Sequence, residues 1–95
     1  MRKTVKMTFI KGKHTRGYMG HWQMDYYVDG VIDLETNEEI CKEYVFKNST
    51  IFKGKKFKLG DIILMDINVD KDKKGNVKLS YYSNVRKLSD KDAVD

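Results

Sequence analysis

Trp22-Gln23-Met24-Asp25-Tyr26-Tyr27-Val28-Asp29-Gly30-Val31-Ile32-Asp33 is the stretch whose reading decides the fold. Trp22, Met24, Tyr26 and Val28 fall on one side of an extended chain, and Gln23, Asp25, Tyr27 and Asp29 fall on the other. A period of two marks a strand with one buried face, because successive side chains of an extended backbone point opposite ways. By that parity Trp22 belongs to the core, while Asp25 and Tyr27 face solvent. Asp29-Gly30 admits two readings: a two-residue type I′ turn, or a bulge inside one long strand that runs on through Val31, Ile32 and Leu34.

The same period extends outward from this stretch. Upstream, Val5, Met7 and Phe9 alternate with Lys6 and Thr8, and Gly12, Gly17 and Gly20 then break a basic loop, Lys11 to His21. Downstream, Glu35-Thr36-Asn37-Glu38 reads as a turn into a third strand, Ile40 to Phe46. Asn48 to Leu59 does not alternate cleanly, which predicts a loop with one helical turn or a short extra strand. Ile62 to Val69 is the most apolar segment and reads as a central strand. Lys71 to Asn76 is a charged hairpin tip, and Val77 to Val85 a last strand with Val77, Leu79, Tyr81 and Ser83 on one face and Lys78, Ser80, Tyr82 and Asn84 on the other. Five or six short strands with glycine-rich breaks predict an all-β small barrel, a form that hides the edges a lysine-rich sheet would otherwise expose. With 95 residues the chain has room for one core. Residues 1–88 are expected to form the barrel domain and residues 89–95 a frayed tail.

Composition argues against several function classes. The lone Cys41 cannot form an internal disulfide, and it sits in the most acidic stretch, where a reactive thiolate is disfavoured. His14 and His21 are seven apart in a glycine-containing loop, which suits neither a metal pair nor a fixed base beside a nucleophile. No phosphate loop or calcium loop has its required spacing. The chain therefore reads as non-catalytic, with no cofactor and no metal. No apolar run approaches the roughly 20 residues of a membrane span, and Val5 to Ile10 is too short for a signal peptide, so a cytoplasmic protein is expected.

Charge is the most directive feature. Of the nineteen Lys and Arg residues, most lie in three acid-free blocks: Met1 to Met24, Tyr44 to Gly60 and Lys73 to Ser89. Asp25 to Glu43 is correspondingly acidic, holding Asp25, Asp29, Asp33, Glu35, Glu38, Glu39 and Glu43. Blocks of one sign can fold into one positive and one negative face, and a positive face carrying aromatic rings suits a polyphosphate strand.

Phe57-Lys58-Leu59-Gly60-Asp61-Ile62-Ile63-Leu64, a charged hairpin, and Ser83-Asn84-Val85-Arg86-Lys87-Leu88 together resemble the last third of bacterial single-stranded DNA-binding proteins. The resemblance implies an OB-fold barrel, with an SH3-like barrel as the alternative, and a DNA-binding role of the kind used in DNA replication. In such barrels the ligand crosses strands two and three and is gripped by the loops after strands one and four. On that basis Lys13, Arg16, Lys55, Lys56, Lys73 and Lys74 are expected to meet phosphate, and Tyr18, Trp22 and Tyr82 to offer rings to the bases of single-stranded DNA or RNA. Because Lys outnumbers Arg, little sequence preference is expected. A homodimer would raise avidity. The acidic stretch opposes this reading where it borders the binding strands. It supports the alternative of a small protein-interaction module or inhibitor, suited to an AT-rich phage or mobile-element genome, that docks on a nucleic-acid-processing enzyme as its protein partner through Asp33 to Glu43.

Overall fold

The computed structural model describes residues 1–88 apart from the Tyr18 side chain, so the expected frayed tail and the expected Tyr18 platform lie outside the described residues. The chain is all-β. Five strands, β1 (Arg2–Arg16), β2 (Trp22–Asp33), β3 (Glu39–Phe46), β4 (Ile62–Lys71) and β5 (Val77–Lys87), form one sheet in the order β3-β2-β1-β4-β5. Every neighbouring pair is antiparallel. No helix among the described residues is long and apolar enough to cross a membrane.

Alternation builds the core as the sequence suggests. Val5, Met7 and Phe9 of β1 face Ile63, Met65 and Ile67 of β4, joined by Val28 and Val31 of β2, Phe46 of β3 and Leu79 of β5. β1 lies in the middle and serves both halves: Val5 is opposite Asp33 of β2 on one edge and Met65 of β4 on the other. Asp29-Gly30 is a bulge and not a turn. Thr8 pairs with Asp29 and Lys6 with Ile32, so Gly30 and Val31 together oppose Met7, with Gly30 at φ 61°. Glycine adopts that left-handed conformation without penalty. The turn at Glu35 to Glu38 forms as read, with Asn37 at φ 62° and its N–H donating to the Asp33 carbonyl at 2.7 Å.

Two sequence expectations are corrected. There is no sixth strand and no helical turn between β3 and β4: residues 47–61 form turns that send Ile51 and Phe52 into the core. Phe52 sits amid Phe9, Tyr26, Phe46 and Phe57, with ring centroids 5.6, 5.1, 5.9 and 5.3 Å away. Lys11 to His21 is mostly hairpin and not loop, because β1 and β2 stay paired out to Arg16 and Trp22. The sheet is not closed by backbone pairing. Among the described residues no ladder joins β3 to β5, and the two are bridged by side chains: the Leu79 N–H donates to the Tyr44 hydroxyl at 3.0 Å, and the hydroxyls of Thr50 and Tyr82 lie 3.2 Å apart.

Candidate nucleic-acid interface

β1 and β2 outrun their neighbours. Pairing of β1 with β4 ends at Thr8 and Ile62, whereas pairing with β2 continues to the end of β1, so a two-stranded arm projects beyond the core. Its tip is a short 3-10 turn, Tyr18–Gly20, closed by the Gly17 N–H donating to the His21 carbonyl at 2.7 Å. Cross-strand partners share a face. Gly12 with Tyr26, His14 with Met24 and Arg16 with Trp22 line one face, and Lys11 with Tyr27, Lys13 with Asp25 and Thr15 with Gln23 line the other. The first face joins the core where the Tyr26 ring lies over Gly12, so close that a Cβ there would stand 3.1 Å from the ring.

At the far end of that face Trp22 is 66% exposed. Parity had assigned it to the core. Parity assigns a face, but a face is buried only where another element covers it. The Arg16 guanidinium stands 4.9 Å from the Trp22 ring centroid, an arrangement that holds the indole in place with one side free. Lys11 covers the Tyr27 ring in the same way at 5.1 Å, and Tyr27 is half-buried rather than exposed.

Asp25 likewise departs from the burial that its parity predicts. It is buried, and it accepts hydrogen bonds from the Asn48 backbone N–H at 2.9 Å, the Gln23 amide at 3.1 Å and the Thr15 hydroxyl at 3.3 Å. The Asn48 N–H, more than the side-chain donors, holds its carboxyl below the usual carboxylate range against the opposing effect of burial. Asp33, at the other end of β2, is buried against the Lys3 ammonium at 2.7 Å, which lowers the Asp33 carboxyl and raises Lys3. Two of the seven acids in the acidic stretch are thus internal fasteners. Asp29, Glu35, Glu38, Glu39 and Glu43 remain exposed.

Asp25 secures the segment after β3, whose Ser49 N–H also donates to the Met24 carbonyl at 3.0 Å. The segment Asn48-Ser49-Thr50 stands as a ridge between two clefts. One, of about 380 Å³, runs from His14, Trp22 and Met24 of the arm to Lys53. The other, of about 480 Å³, lies between the end of β3 and β5, with Lys47 on one side and Leu79 and Tyr82 on the other. Trp22 and Tyr82 therefore border the two clefts on either side of the ridge. Lys13 is exposed on the opposite face of the arm. Lys55 and Lys56 are exposed on the connection beyond Lys53.

Lys73 and Lys74 stand on the β4–β5 tip, exposed around a turn in which Asp72 accepts the N–H groups of Lys74 and Asn76 at 2.8 and 2.9 Å. Arg2 of β1 pairs with Asn68 near this tip while Arg16 ends at the other, so the two expected grips flank opposite ends of β1. The Tyr44 ring packs on Phe46 at 4.9 Å, and its hydroxyl accepts the Leu79 N–H.

Comparison with protein-family models, curated proteins and solved structures finds no match.

Sequence reading missed Lys47, Lys53 and the Asn48–Thr50 ridge. The one available signal was Ile51-Phe52, an apolar pair in an otherwise polar stretch, which anchors the ridge and turns the flanking lysines outward. Cys41 is half-buried opposite Val31, and burial, with a smaller effect of Glu39, pushes its thiol up.

Proposed function

We propose that this protein binds single-stranded nucleic acid, without catalysis, along the track from the arm across the two clefts. The observation that carries the reading is the exposed Trp22 ring backed by Arg16 at the mouth of a cleft that Lys53 borders and no acid among the described residues lines. Stacking of a base on such a ring is worth about 1–3 kcal/mol, and it serves every base because each has a π-face. Lysines along the track contribute counterion release and with it salt dependence.

An OB-like barrel accords with the arrangement. That fold is five-stranded and only partly open, and it binds oligonucleotides on its second and third strands and on the loops after strands one and four. A long first strand shared between the β2–β3 and β4–β5 halves, a curl bridged by Tyr44 and Thr50, and clefts along β2 and the end of β3 all fit it. A role in the cytoplasm, in DNA replication of a phage or mobile element, belongs to the same proposal. So does a homodimer.

A labelled single strand of about 30 nucleotides, long enough to cover more than one site of the usual 4–16 nucleotides, titrated by anisotropy beside its duplex at two salt concentrations, tests the reading. Tight, salt-sensitive binding that prefers the single strand supports it, and no binding at low salt overturns it. A second reading has one observation in its favour. Asp29 lies directly opposite Glu43 on the β2–β3 ladder, both exposed, and like charges so placed are destabilising. A basic protein partner docking there would relieve that repulsion, and this reading predicts little binding to free strands.

A further inference from the structure

Three bulges in this sheet share one form, in which two residues oppose one and the first of the two is left-handed. Gly30-Val31 opposes Met7, Asn84-Val85 opposes Met65, and Tyr81-Tyr82 opposes Ile67. The leading residues have φ of 61°, 55° and 54°. This bulge ordinarily carries glycine at its first position, and asparagine tolerates it. Tyrosine does not, since its Cβ crowds the backbone in that conformation and an aromatic residue there is a genuine outlier. Among the left-handed non-glycine residues of the described chain, Asn37, Asn48 and Asn84 are of the tolerant type and Met19 sits in the tight turn at the arm tip. Tyr81 has neither excuse, and its ring does not repay the strain by packing: it is 81% exposed.

The strained backbone is held from outside. Arg2 of β1 donates one guanidinium N–H to the Tyr81 carbonyl at 2.6 Å and another to the Ser83 hydroxyl, bracing both flanks of the bulge. A bulge re-aims a side chain, and an outlier that persists under such bracing points to use of the side chain it presents. The next residue, Tyr82, borders the second cleft.

We infer that Tyr81 is a base-stacking residue of the strand-binding track, placed beyond Tyr82 on β5 with the Arg2 cation beside it. The inference rests on the strand-binding reading and extends it to a contact at the opposite end of the track from Trp22.

The test uses opposite signs. Tyr81→Gly and Tyr81→Asn suit the left-handed conformation and remove the ring, so each should melt a few degrees higher than the wild type. Each should also bind the single strand about tenfold more weakly. Tyr81→Phe keeps the ring and should keep the affinity. Higher melting with unchanged affinity overturns the inference and leaves the ring to a protein partner. Lower melting in Tyr81→Asn and Tyr81→Gly also overturns it, by making the ring structural. The wild-type chain measured alongside separates the two proposals. If it does not bind the strand, the strand-binding reading fails, whereas binding shared equally by the Tyr81 variants removes only the role of Tyr81.

Discussion

The two halves of β1 have the same backbone and different employment. From Arg2 to Phe9 the strand runs through the core, paired with β4 as far as Thr8 and with β2 from Val5 onward, and its apolar parity, Val5, Met7 and Phe9, is buried with residues of β4 and with Ile51 and Phe52. From Ile10 to Arg16 it pairs with β2 alone, and what it presents is Lys11, Lys13, His14 and Arg16. The first half is held by burial and the second by one ladder and the close seat of Tyr26 on Gly12. On the strand-binding proposal, stability and binding are thus separated along a single strand. Substitutions in the two halves should move different observables.

The largest effect should come from the core side. Ile63→Ala, at a fully buried position opposite Met7, leaves a cavity among apolar neighbours and should lower unfolding free energy by about 2–5 kcal/mol. Affinity of the remaining folded protein for a single strand should be unchanged, as checked by denaturant melts and by titration well below the melting temperature. A loss of affinity in the folded variant would break the separation.

Next in size is the arm. Trp22→Ala should weaken strand binding by about 1–3 kcal/mol, roughly 5- to 150-fold, with no change in melting temperature. Trp22 is the one tryptophan of the chain, so quenching of its fluorescence on titration reads the same contact directly. Unquenched emission on binding would remove the arm from the track.

Much of the first half was legible in the sequence and little of the second, for a physical reason. Val5-Met7-Phe9 and Ile63-Met65-Ile67 obey a local period, and a period survives wherever one face is covered. Each bulge inserts a residue and reverses parity beyond it, and only Gly30 and Asn84 are residue types that signal one. Tyr81 conceals its bulge completely. Trp22 and Asp25 lie on the faces that parity gives them, but their burial is set by residues distant in sequence, as the Asn48 N–H shows for Asp25. Ile51 and Phe52 were passed over because two apolar residues are too few to show any period.

A third test concerns the fastener between the halves. The carboxyls of Asp25 and Asp33 are lowered in the folded chain, so their contribution is complete above about pH 4, the usual unfolded value, and is lost as pH falls through the lower folded values. Asp25→Asn should cost about 1 kcal/mol at neutral pH and flatten the fall of stability in acid. It should also loosen the ridge that its Asn48 bond secures, so that strand affinity falls with it. A stability loss without any loss of affinity would show that the ridge holds its place by Ile51 and Phe52 alone.

The smallest effect is expected at the β4–β5 tip, and it depends on ligand length. Lys73 and Lys74 stand at the opposite end of β1 from Arg16, so a short strand seated at Trp22 cannot reach them while a longer one running past Tyr82 can. Lys73→Ala with Lys74→Ala should therefore leave the affinity of a short oligonucleotide untouched. For a longer one it should lower the slope of log affinity against log salt by about 0.7 for each phosphate contact removed. Equal weakening at every length would place the tip beside the arm's ligand and make the two ends of β1 a single grip. No weakening at any length would confine the bound strand to the arm, the ridge and the two clefts, and the division of labour along β1 would then extend to the whole sheet.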